Sequence, residues 1–141
     1  MADPRPVDEP IPPDEELYRA VGAADVQGDR VAASAIDLQG TSVHRARYCD
    51  AHIPLLAGRP DLDGIAATTP GALPASVPIG DLVYRCFAVD APTAGDPHHA
   101  EIRVNTDPDS RENKKKIKSA SAKLFLRETL ARTFRIHTRP T

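Results

Sequence analysis

The residues best equipped to do chemistry in this 141-residue chain stand in one short phrase, Asp96-Pro97-His98-His99-Ala100-Glu101, where two imidazoles meet two carboxylates. Neutral imidazole and carboxylate are the usual zinc ligands, and histidine is the usual proton shuttle near neutral pH. Geometry limits what the phrase can do alone. In a strand beginning at His99, the His99 and Glu101 side chains share one face and His98 takes the other. A site made from His98, His99 and Glu101 therefore needs a contribution from elsewhere, with His44 and His52 as candidates. The competing reading is that these are ordinary loop residues. No recognised metal-ligand spacing or cofactor motif accompanies them, so no metal and no cofactor is expected.

A second grouping is electrostatic. Lys114, Lys115, Lys116, Lys118 and Lys123, followed by Arg127, Arg132, Arg135 and Arg139, crowd cations into the end of the chain. Residues 1–110 carry 8 Lys/Arg against 18 Asp/Glu, whereas residues 111–141 carry 10 against 2. The overall charge of −2 thus hides an acidic body and a basic tail. Such a cation density can displace counterions from a phosphate backbone, giving affinity without sequence readout. It can equally be a solvated face, or the complement of the acidic body.

Other signatures are missing from the sequence: there is no P-loop, no G-x-G-x-x-G, no H-E-x-x-H and no G-x-S-x-G. A scattered site from Tyr18, Arg19, Ser42, His44 and His98 is conceivable, but a Tyr-Arg pair more often snorkels from a core. Aromatic residues make up 4% of the chain and Trp is absent, so platforms for stacking nucleobases are scarce. Cys49 and Cys86 belong to no ligand pattern and read as free thiols packed like small hydrophobes. No signal peptide or membrane-spanning stretch is evident, which makes a cytoplasmic location the expectation.

The elements that must position these residues are read from pattern. Residues 1–13, with five prolines and three acids, form a disordered or loosely docked arm, and residues 14–141 form one domain. Asp14-Glu15-Glu16 followed by Leu17, Ala20 and Val21 predicts a short helix over 14–22. Arg30 to Ile36 alternates as a strand. Ser42 to Cys49 reads as a strand or a short helix, with the helix slightly preferred. Gly64 to Thr68 has strand character, and Thr69-Pro70 opens a very short helix.

Asp81 to Val89 is the strongest strand, apolar on both faces and hence central. His99 to Asn105 is its antiparallel neighbour across a Pro/Gly loop. Residues 110–136, free of Gly and Pro and rich in Lys, Ala, Leu and Arg, predict a long basic helix. The expected fold is α+β: a small, mostly antiparallel sheet packed by that long basic C-terminal helix and by short helices.

The order RVAASAI, TSVHRARY, GIAATTPG, DLVYRCFAVD, DPHHAEI resembles that of small bacterial proteins common in actinobacteria, of unknown function. The resemblance covers about residues 15–104 and stops before the lysines. In this chain Asp96-Pro97-His98-His99-Ala100 replaces the group's Asn-Pro-Ala-His wording, and His44 stands where an acid is commoner.

The functional expectation is a non-catalytic bacterial accessory or adaptor protein that engages a macromolecular partner. Nucleic acid held by the lysines is one such partner. The alternatives are a protein-docking subunit without nucleic-acid affinity, and a small enzyme using His98, His99, Glu101 and His44.

Overall fold

The computed structural model describes residues 9–28, 30–48, 62–93, 98–114 and 116–138. Asp96, Lys115, Cys49 and His52 lie outside the described residues.

Strand β7 (Leu82–Asp90) and strand β8 (His99–Asn105) pair antiparallel, with Cys86 opposite Val104 and Ala88 opposite Ile102. This antiparallel pairing is what the sequence predicts. Strand β6 (Val77–Ile79) adds to β7 through a two-residue turn, Gly80-Asp81, in which Gly80 takes the left-handed φ of 61° that such turns demand. Pro78, lacking an N–H, weakens this edge strand as a template for further pairing.

On the far side of β8 lie β4 (Thr41–Arg45), β1 (Leu17–Gly22), β5 (Leu62–Thr68) and β9 (Arg135–Thr138). The sheet order is β6-β7-β8-β4-β1-β5-β9, with every pairing antiparallel, and the seven strands curl into a half-barrel. A separate hairpin joins β2 (Val26–Gln27) to β3 (Arg30–Val31).

The inner face carries the core. Leu17, Val21, Val43, Ala66, Tyr84, Cys86, Ala100, Ile102 and Val104 join Ala122, Leu126, Leu130 and Ala131 of helix α1 (Ala120–Ala131) in one buried cluster. The outer face has a smaller cluster around Tyr18, Ile65 and Ala67.

Several sequence expectations are corrected. The described residues are mostly sheet, with one short α-helix among them, and no long C-terminal helix packs on that sheet. Within 110–136 only Ala120–Ala131 is α-helical, opened by the Ser119 side chain, which accepts a hydrogen bond from the Ala122 backbone N–H. The lysine run does not join it. On a helix Lys114 and Lys118 would stack with like charge at i, i+4. The run instead crosses the inner face in irregular form, with the Lys114 N–H bonded to the Val104 carbonyl and Ile117 sunk in the core. After α1 the chain turns and becomes β9, so Arg135 belongs to a strand.

Residues 17–22 are also strand and not helix, because β1 is paired on both sides. Residues i and i+4 share a face in either structure, so Leu17 and Val21 fitted both periods. Arg30 to Ile36 holds only the two residues of β3 before a 3-10 turn at Ala33–Ala35. Where a helix is preferred over Ser42 to Cys49, Ser42 to Arg45 instead belongs to strand β4 and residues 46–48 form a turn.

Residues 9–13 lie on the domain. Ile11 packs against the core, and the Pro13 carbonyl accepts from the Gly71 N–H at 2.9 Å. A side chain at Gly71 would bring its Cβ within 2.9 Å of that carbonyl, so glycine permits the close approach.

Candidate functional site

The lysine run becomes a site through what anchors it. Asn113 donates from its amide to the Leu38 carbonyl at 2.7 Å, while its Oδ1 accepts from the Val104 N–H at 2.9 Å, pinning the segment to the end of β8. Beyond it, buried Ile117 acts as a plug, and its neighbours Lys116 and Lys118 remain exposed.

The result is a cleft of about 550 Å3 between this segment and the β6–β7 hairpin. Lys114, Lys116 and Lys118 line one side with Ser119; Ile79, Leu82, Tyr84 and Ala122 supply apolar surface, and Asp81 is the single acid among the described residues. Leu82 is 45% exposed, an apolar lip beside the cations. Lys123 lies exposed in the first turn of α1 and does not line the cleft. A larger groove of about 830 Å3 runs between β3 and α1, but among the described residues it sets only Arg30 and Arg132 against Glu128, a smaller excess of cations than three lysines against Asp81.

The histidines meet on the outer face of the sheet. β1, β4 and β8 are adjacent, so Tyr18 lies opposite His44 and His44 opposite His99. The His44 and His99 rings are 6.5 Å apart edge to face, and the His98 ring stands 4.7 Å from that of His44. His98 precedes β8 in a turn, so the alternation of the strand does not send it to the opposite face from His99. Ser42, exposed on β4, accepts or donates at 3.1 Å to Nε2 of His99. Glu101 lies opposite Ser42, but its carboxylate accepts from Arg103 Nε at 3.1 Å. Among the described residues no group of His, Cys, Asp and Glu is arranged to hold a metal ion.

Sequence reasoning missed a third constellation. Arg45, on the inner face of β4, is fully buried and forks to both oxygens of Glu15 at 2.8 Å. Asp90 accepts from the same guanidinium at 3.1 Å, and Glu9 lies 3.1 Å from it. The Tyr48 hydroxyl holds the Glu9 carboxyl below its ordinary range, assisted by Arg47 and Arg45. Paired carboxylates, Glu15 foremost, hold the Arg45 guanidinium still more firmly protonated than usual. The network ties the segment before β1 to the ends of β4 and β7, which marks it as architecture. Asp14-Glu15-Glu16 read as the first turn of a helix because acids favour that position; here Glu15 serves the buried arginine instead.

Cys86 faces the core, and burial pushes its thiol up to about 12. Among the described residues no helix is long and apolar enough to cross a membrane. In comparisons with known proteins, no family model, no curated protein and no solved structure matches the chain.

Proposed function

We propose that this protein is an accessory protein that binds nucleic acid through its phosphate backbone at the lysine cleft. The observation that carries the reading is the convergence of Lys114, Lys116 and Lys118 on one cleft. Lysine ammonium groups are compact point charges suited to phosphate oxygens, and they carry no base-specific code. Among the described residues the one aromatic lining the cleft, Tyr84, is buried, so stacking on unpaired bases contributes little. Duplex recognition through the backbone is therefore the expected mode.

The test is fluorescence anisotropy of labelled duplex and single-stranded DNA and RNA at low salt. Its control replaces Lys114→Glu, Lys116→Glu and Lys118→Glu together. None of the three lysines is buried, so the substitutions place no charge in the core, and circular dichroism checks that the variant is folded. Binding by the native protein that disappears in the variant supports the reading. Absence of binding at low salt overturns it, and directs attention to an acidic protein segment whose apolar residues could use Ile79 and Leu82.

A further inference from the structure

We propose that Ser42 and His99 form a nucleophile and general-base pair that cleaves carboxylic esters by acyl transfer. The proposal uses the outer face of the sheet and no residue of the lysine cleft.

Register brings the pair together. Ser42 lies opposite Glu101, and His44 opposite His99, so Ser42 and His99 are diagonal neighbours on adjacent strands with their side chains on one face. The separation from Ser42 Oγ to His99 Nε2 is 3.1 Å, within the reach expected of a nucleophile and its base.

The second ring nitrogen decides the direction of that bond. His99 Nδ1 lies 2.9 Å from the Ala91 carbonyl oxygen, which can only accept, so Nδ1 carries the proton. In the neutral ring Nε2 is then bare, and the Ser42 hydroxyl donates to it. Ala91 holds His99 twice, since its own N–H donates to the His99 carbonyl at 3.1 Å. A base fixed in one tautomer by a third group is the arrangement that activates a serine. Glu101 is not that third group, because Arg103 occupies its carboxylate. Ser42 is exposed, so an ester carbonyl can reach it.

The step balances without a further reactant beyond water. Ser42 Oγ attacks the acyl carbon while its proton passes to His99 Nε2. The bond from the acyl carbon to the ester oxygen breaks, and the leaving alkoxide takes that proton as an alcohol. Water then gives a proton to Nε2, its hydroxide adds to the acyl carbon, and Oγ departs as the hydroxyl. The products are a carboxylic acid and an alcohol. A fluorophosphonate follows the first half: an Oγ–P bond forms, the P–F bond breaks, and fluoride leaves.

The test treats the native protein with a biotinylated fluorophosphonate and maps the adduct by mass spectrometry. The expected result is modification at Ser42, absent in Ser42→Ala. Removing a positioned base costs about 100-fold or more, so the labelling rate should fall at least that far in His99→Ala, with p-nitrophenyl acetate hydrolysis falling in parallel. No adduct on the native protein above that on heat-denatured protein overturns the proposal without reference to any variant. An adduct at Ser42 that forms equally fast in a folded His99→Ala protein also overturns it. Nucleic-acid binding measured on the same variants should be unchanged, which separates this proposal from that of the lysine cleft.

Discussion

Replacing Arg45→Met removes the one cation around which three carboxylates are gathered. Methionine keeps an unbranched apolar stem but ends three heavy atoms short of the guanidinium, so the lost charge is the main effect and a small void adds to it. Arg45 and Asp90 have fully buried side chains, and those of Glu15 and Glu9 are only 9% and 11% exposed. Without the guanidinium, both Glu15 oxygens and Asp90 Oδ1 lose a charge-assisted donor in surroundings where water cannot replace it. Breaking a buried pair by deleting one partner costs about 3–5 kcal/mol. Single domains are stable by about 5–15 kcal/mol, so the loss is a large fraction of the total. Urea denaturation followed by circular dichroism measures it. Arg45→Lys retains the charge and loses the fork, and should fall between native and Met proteins. Glu15→Gln should cost less in the Met background than in the native one, because the stranded charge is then removed. An Arg45→Met protein within about 1 kcal/mol of native would refute the reasoning and leave the network a surface decoration.

Two further outcomes follow from single positions. With its thiol pushed up to about 12 by burial, Cys86 should react with a disulfide reagent at mildly alkaline pH at least roughly a thousandfold slower than a free thiol. The measurement uses Cys49→Ser to isolate it, and rapid reaction under native conditions would contradict its placement in the core. Gly40 takes φ of 126°, and a Cβ there would lie 2.6 Å from Glu101 Oε1. Gly40→Ala should cost about 1–3 kcal/mol. Adding Glu101→Ala should recover only the steric part of that loss, and full recovery would show that the backbone conformation costs nothing.

The parts of this molecule legible in the sequence were those with a single consistent period. Asp81 to Val89 is β-branched, aromatic and apolar on both faces, His99 to Asn105 alternates, and their antiparallel pairing followed from the loop between them. Ambiguity entered where spacing served two structures at once. Leu17 and Val21 satisfy a helix and a strand equally, and only the pairing of β1 with both β4 and β5 decides between them. The 110–136 segment has helix-favouring composition throughout, yet its first ten residues obey contacts invisible to propensity: Asn113 bridging Leu38 and Val104, and Ile117 plugged into the core. Its last part completes the sheet as β9. Tertiary pairing overrode local preference in each case.

The site residues show the same division. His98, His99 and Glu101 stood out by type, and the lysines by density. Their partners did not. Ser42 and Ala91 reach His99 across strand register, and Ile79 and Leu82 of one hairpin line a cleft with the lysines of a distant segment, neither of which is written in spacing along the chain. Arg45 was hidden because nothing local to it signals burial, and only its encirclement by Glu9, Glu15 and Asp90 shows it.

The most direct test of the lysine cleft is the salt dependence of duplex binding. If Lys114, Lys116 and Lys118 each neutralise one phosphate, the slope of log affinity against log salt is about −2.7. Affinity should then fall roughly 40-fold between about 50 and about 200 mM salt. Returning a single lysine to neutrality, as in Lys116→Gln, should make the slope shallower by about one unit. A flat salt dependence, or a slope untouched by that change, would contradict the assignment of this cleft to a phosphate backbone.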